Sequence, residues 1–356
     1  MAFIFQPRCC FLENILLFSS LLFATAVGLF SPQTVAQTVN CTGFPQWDST
    51  NQVLFCVNGS PGVPIRAYTG KSQRGADIDV FKDFPDLQEY YGTSVTAGPN
   101  GTTLIATILN FGDHNVREVV LTYDSTGQLL KTWDPAPQYV EALAYSKDDD
   151  ALFVLGSRNV PNVPDAPDYP LLVEYTREGR VLREMVPAST LEARGDSFNQ
   201  GGETGQPALR VTKNHIFFYA PTNREVVMLD RTGAILARRT LNDIVGRLST
   251  EDGYHLAQTH AIDFSNDGDI VLELLLGNDS TRQWGFEVVR INVKTGEAAS
   301  VRKALHNDTS LLPPVGLKVL SLVGLKDGQY LYLEDSKNLY IQSSAADEPV
   351  PYDASH

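Results

Sequence analysis

Basic clusters are missing from this sequence. Lysine and arginine total 28 against 42 acidic residues, a formal net charge of −14. Without a basic patch to meet phosphate, nucleic acid and an anionic membrane face are not expected partners. Long apolar runs are scarce as well: beyond ILLFSSLLFATAVGLF, Ile15 to Phe30, nothing reaches the ~20 residues a membrane helix needs. No stretch keeps the spacing of a long amphipathic helix, and LNDIVGRL is the best short candidate. A GxSxG elbow, an HExxH helix, a CxxC pair and a phosphate-cradling glycine loop are all lacking, which removes the motif-based arguments for an enzyme.

What is present begins with a distinct leader. Arg8 precedes the apolar run, and SPQTVAQ follows it with small Ala36 at a plausible cleavage position. Residues 1–36 read as a secretory signal peptide or, if uncleaved, an anchor, and 37–356 as one domain with a short tail. Membrane contact is expected only through that leader, and the location is secreted, or periplasmic in the cell envelope. Cys9 and Cys10 fall in the leader. Cys41 and Cys56 remain as an even pair, read as a disulfide in an oxidising compartment; a buried free thiol at Cys56 is the alternative. Sequons at Asn40, Asn58, Asn100, Asn278 and Asn307 are either glycan acceptors, which must then be exposed, or plain turn residues.

The body of the chain repeats. REVVLTYDSTGQLLKTW, YPLLVEYTREGRVLREM, NREVVMLDRTGAILARR and GFEVVRINVKTGEAASVRK each show an alternating strand, a polar turn ending in glycine and a second strand. They recur at intervals of roughly 50 to 65 residues, within or just above the range of a repeated β unit. A second hairpin precedes each: SVTAGPNGTTLIATIL, ALAYSKDDDALFVLG, ALRVTKNHIFFYA and AIDFSNDGDIVLELL, with further copies at SLVGLKDGQYLYLED and QWDSTNQVLFCV. A lone hairpin is unstable in water. Four-stranded units closed in a ring bury both faces of every sheet and leave only short edges. The expectation is an all-β, six-bladed β-propeller of four-stranded antiparallel blades; an irregular sandwich or a β-helix is the rival. The last blade, about Leu320 to Ile341, shows three clear strands, so the N-terminal segment is expected to supply its fourth.

The pairs ALAYSKDDDALFVLG…LVEYTREGRVLRE and AIDFSNDGDIVLELL…EVVRINVKTGE resemble, at fold level, the six-bladed propellers of the TolB-like, NHL-repeat and gluconolactonase groups. That architecture hosts lactonases, phosphotriesterases, peptidoglycan-associated binders and interaction platforms, so it does not settle function.

In a ring, residues just before the innermost strands gather at one channel mouth. These are Glu141 before ALAY, Glu203 and Gln206 before ALRV, and His260 before AIDF, with His255 on the same incoming stretch. Two carboxylates and an imidazole there can hold a divalent metal such as calcium, with Glu141 and His260 in the ligand set, or share proton transfer. The plainer alternative is solvated or loop-capped polar side chains. The gluconolactonase resemblance implies a Glu, Asn and Asp set around calcium; Glu141 matches, but Gln206 and His260 stand where asparagines are expected, and histidine suits calcium poorly. KDDD at 147–150 and NDGD at 266–269 read as turns. Arg194-Gly195-Asp196 reads as a chance tripeptide, and the Gly-rich Asp196–Pro207 loop as a flap over the mouth. The leading function is a non-catalytic binder of a protein or small ligand at the mouth. The alternatives are a metal-dependent hydrolase or lactonase and a structural envelope component.

Overall fold

A computed structural model describes residues 39–69, 72–135, 139–157, 168–191, 205–222, 224–250, 253–278, 280–281, 283–307 and 320–352. These form six sheets of four antiparallel strands, a six-bladed propeller. Blade 1 holds β1 (Phe44–Asp48), β2 (Val53–Val57), β3 (Arg66–Thr69) and β4 (Ser72–Gln73). Blade 2 holds β5 (Glu89–Ala97), β6 (Thr103–Asn110), β7 (Val116–Tyr123) and β8 (Leu129–Trp133). Blade 3 holds β9 (Tyr139–Ser146), β10 (Ala151–Ser157), β11 (Pro170–Thr176) and β12 (Val181–Pro187). Blade 4 holds β13 (Ala208–Val211), β14 (His215–Ala220), β15 (Glu225–Asp230) and β16 (Ile235–Thr240). Blade 5 holds β17 (His255–Phe264), β18 (Asp269–Asn278), β19 (Gln283–Asn292) and β20 (Ala298–Asn307). Blade 6 holds β21 (Leu320–Lys326), β22 (Gln329–Glu334), β23 (Asn338–Gln342) and β24 (Val350–Pro351). Helices are minor: α1 (Val80–Asp83) and α2 (Asn242–Thr250), the second on the LNDIVGRL stretch.

The first strand of each blade lies against that of the next, from β1 through β5, β9, β13 and β17 to β21, which returns to β1. Between blades lie apolar layers; one joins Phe153, Leu155 and Leu172 of blade 3 to Ile216, Phe218 and Val227 of blade 4. An innermost strand has one unpaired edge, and its buried N–H groups need acceptors. The preceding blade supplies them. Ala97 N–H donates to Asp48, Leu143 N–H to Ser94, Tyr145 N–H to Thr96 and Leu322 N–H to Glu273, each pair 49 residues apart.

The outer hairpins explain the paired apolar residues after their glycines. At β8, β12 and β16 the register slips by one beside the turn, and in β20 it slips after three paired residues, so Leu130, Leu182, Leu236 and Val301 are extra residues of β-bulges. Bulges twist and blunt edge strands. Three of the four stand exposed: Leu130, Leu182 and Leu236. The turns carry their own chemistry: Asp124 accepts from Thr126 and Gln128, and Asp230 likewise from Thr232 and Ala234. Gly179, at φ +80°, lies so close to the Trp133 ring of the preceding blade that a Cβ would meet it at 2.6 Å.

One expectation is corrected. The fourth strand of blade 6 is β24, from the C-terminal stretch, and the N-terminal segment does not enter that sheet. It builds blade 1, whose four strands are complete without help. Its first residues instead strap the seam, Val39 N–H donating to Lys337 O and Cys41 N–H to Ser336 O. Cys41 and Cys56 are disulfide-bonded, which ties that strap to β2.

Candidate functional site

The two ends of the channel differ. At the end of the inner-hairpin turns, Asp48 to Gln52 leaves blade 1 and crosses to the opposite side. Ser49 Oγ donates to Leu209 O at 3.5 Å, and Thr50 Oγ1 accepts from Val211 N–H at 2.9 Å, both in blade 4. Asn51 Nδ2 donates to Tyr145 O of blade 3 at 3.0 Å. Gln52 Oε1 accepts from Asp327 N–H of blade 6 at 3.2 Å. Asp48 joins blade 2 through Thr96 and Ala97, and the Ser49 hydroxyl shares its one proton between Leu209 O and the Asp263 carboxyl of blade 5. One turn therefore touches every other blade and plugs this end.

Two carboxylates support the plug. Burial pushes the Asp48 carboxyl above its ordinary value, against hydrogen bonds from Ala97, Asn51 and Thr96 that pull it down. Burial also raises Asp263, opposed first by the Arg210 guanidinium and then by the N–H groups of Leu325 and Phe264. Arg210 Nη1 lies 3.8 Å from Asp263 Oδ1 and also donates to Phe264 O. Desolvated charges persist only where such partners converge.

The opposite end gathers the heads of the innermost strands. Phe44 opens β1, Tyr91 is third in β5, Tyr139 opens β9 and Val116 opens β7; all four are exposed, Phe44 at 78%. Gln46 Nε2 donates to Thr93 O at 2.7 Å, which joins blades 1 and 2 at this end. Exposed aromatics thus stand near the heads of three successive innermost strands, at this mouth. Acidic groups adjoin it. Glu118 of β7 accepts from Val140 N–H of blade 3. Its carboxyl is pushed up to about 7, first by burial and then by the negative charges of Glu141 and Asp134, against the Val140 bond. Glu118 thus exchanges its proton close to neutral pH.

Of the residues singled out by sequence, Glu141 is third in β9, half-buried, and accepts from Ser157 Oγ at 3.4 Å. Gln206 is exposed just before β13. His255 opens β17, exposed, its ring over Gly277 of the neighbouring strand. His260 lies inside β17 rather than ahead of it. Glu203, Arg194-Gly195-Asp196 and most of the Asp196–Pro207 loop fall outside the described residues. Among the described residues, no group of three His, Cys, Asp or Glu stands together as a metal site. The KDDD and NDGD acids serve turns: Asp149 pairs with Arg231, Asp150 with Arg177 and Asp269 with Arg290. Asn278 is buried and its Oδ1 accepts from Ser280 N–H, so that sequon is a turn; Asn40 and Asn100 are exposed. Sequence reasoning missed Glu118, Asp48 and Asp263. A carboxylate inside an apolar strand run, as in REVV, QWDS and AIDF, was the available signal.

No protein-family model matches the chain, and no curated protein does. Among solved structures, a nidogen/laminin complex is similar at 10% identity, over 84% of this chain and 91% of that chain, with a TM-score of 0.43. A GH74 xyloglucanase from Xanthomonas campestris is similar at 10% identity, over 90% of this chain and 46% of that one, at 0.45. The soluble aldose sugar dehydrogenase of Escherichia coli in its apo form shares 10% identity over 87% and 96% of the two chains, at 0.38. At this distance the likenesses say nothing of activity.

Proposed function

We propose that this chain is an exported propeller that binds a partner, a protein segment or a small ligand, across its open channel mouth without catalysing a reaction on it. The observation that carries this reading is the exposed set Phe44, Tyr91 and Tyr139 on three successive innermost strands. Large aromatics left at such a rim are the usual anchors of binding surfaces. The plug supports it, because ligand access is then confined to one end. The Cys41–Cys56 bond and the apolar leader support a secreted or periplasmic location.

The test compares two triple variants in capture from a cell-envelope extract. Phe44→Ser/Tyr91→Ser/Tyr139→Ser is expected to lose the captured species; Leu130→Ser/Leu182→Ser/Leu236→Ser, at the outer rim, is expected to keep them. The reverse pattern would move the binding surface to the rim.

A second reading, a calcium-assisted hydrolase or lactonase of gluconolactonase-like type with Glu141 in the ligand set, draws on Glu141 lying within electrostatic reach of the Glu118 carboxyl. It expects calcium to raise the melting temperature and Glu141→Gln to abolish both that rise and any lactone turnover.

A further inference from the structure

On the plugged face, away from the mouth, blades 5 and 6 part to leave a cleft of about 160 Å³. Its walls are the turns Ser265–Gly268 and Leu325–Gly328, with Val271, Arg290 and Tyr330 from the strands behind. Val271, Leu325 and Tyr330 underlie the cleft and are themselves buried, so its accessible wall is mostly polar. The space is below the ~300–1,000 Å³ of pockets for drug-sized ligands, which suits a single six-membered ring better than a peptide.

The polar groups around it are of both kinds. Arg290 is committed through Nε to Asp269 Oδ2, and Asn292 takes the other oxygen of that carboxylate at 2.8 Å. The Arg290 guanidinium also meets the Tyr330 hydroxyl and is 40% exposed. Asn266 commits its Oδ1 to Arg210 at 2.8 Å, so its amide NH₂ remains as a donor at the rim. Asp267 and Asp327 add carboxylate acceptors, the second with Lys326 Nζ at 3.4 Å. An anionic ligand would face the carboxylates of Asp267 and Asp327 in the lining against one guanidinium, Arg290. A cationic one would have to lie beside the guanidinium. Hydroxyl groups donate to carboxylates and accept from guanidinium and amide, so a molecule bearing several satisfies both sets at once.

We propose that this cleft is a binding site for a small neutral polyhydroxylated ring of monosaccharide size. Its hydroxyls bridge Asp267 and Asp327 to Arg290 and Asn266. Occupation also bears on the plug, since Asn266 holds Arg210 and the Asp327 N–H holds Gln52.

Saturation-transfer NMR on the full chain, with its disulfide intact, tests this with three probes of one ring shape: D-glucose, D-glucuronate and D-glucosamine. Glucose is expected to bind saturably at millimolar strength, with the other two about tenfold weaker. Asp267→Ala/Asp327→Asn, both at the surface and the second keeping a residue suited to the φ of +50° at that turn position, should reduce glucose binding at least about fivefold with an unchanged melting temperature. The mouth variant Tyr91→Ser/Tyr139→Ser should leave it intact. No saturable glucose signal, equal or tighter binding of a charged probe, or binding that survives the cleft variant would overturn the proposal. Loss in the mouth variant alone would place the sugar in the mouth, and so overturn it while sparing the mouth reading.

Discussion

The boundary between blades 2 and 3 and the seam between blades 6 and 1 do the same job by different means. At the first, the chain runs on from β8 to β9, and the N–H groups of the inner strand find Ser94, Thr96 and Glu118 on the blade before. The seam has no such continuity, because the two blades come from opposite ends of the chain. A shared strand would have joined them, but β24 completes blade 6 from its own side. The seam relies instead on the strap at Val39 and Cys41, the disulfide, and an apolar layer of Leu54, Tyr68, Val323 and Leu331. Trp47 is pressed on Gly324 there, where a Cβ would sit 2.1 Å from the ring. At the seam, hydrogen bonds from a cross-linked strap, together with interlocking faces, stand in for sequence continuity.

Breaking the seam should therefore cost more than breaking the continuous boundary. The largest effect is expected from Cys41→Ser/Cys56→Ser. The bond closes a loop with a sequence separation of 15, and its loss should remove about 3 kcal/mol on chain-entropy grounds, read as a fall in denaturation midpoint. If melting of the oxidised and reduced protein coincides, the strap does not hold the seam. Next comes Gly324→Ala, where the added methyl must displace Trp47; about 2 kcal/mol is expected in urea unfolding, accompanied by a change in tryptophan emission.

A third prediction concerns pH. Glu273, at the boundary of blades 5 and 6, is fully buried, and burial pushes its carboxyl up to about 8 against the Leu322 N–H bond. Glu118 stands at about 7 for the reasons above. Both values lie above the ordinary 4.5, so the folded state holds these protons more tightly than the unfolded chain. Their contribution to stability is whole below pH 4.5 and is lost as pH rises through 7 and then 8. Melting temperature should fall between about pH 5 and pH 8, and Glu273→Gln should reduce the slope across that whole window while Glu118→Gln reduces it only below about pH 7. An unchanged slope in both variants would contradict the assignment. Smallest is Ser94→Ala at the continuous boundary, where one acceptor for Leu143 N–H is lost at about 1 kcal/mol, measured in the same urea series.

Much of this was legible beforehand. The six inner hairpins, from QWDSTNQVLFCV to SLVGLKDGQYLYLED, and the four outer ones all appear as paired strands, because alternating burial writes itself into side-chain period. The helix at LNDIVGRL was visible for the same reason. The candidate site was less so. Gln206 lies just before β13 as read, but Glu141 and His255 belong to strands β9 and β17 rather than to the loops ahead of them, and Glu118 sits on a third strand, brought to blade 3 only through blade-to-blade packing. Blade 1 looked like a bare hairpin because β3 and β4 are short, and β24 is two residues with a proline, too brief to carry periodicity.

By itself the sequence determined the repeat, the four-strand unit and the disulfide pair, since these depend on local alternation, turn residues and a count of cysteines. Only tertiary structure decided how the ring closes and which end is plugged. Closure and plugging rest on contacts such as Ser49 with Leu209, 160 residues apart, and no local pattern encodes which distant carbonyl a turn will meet.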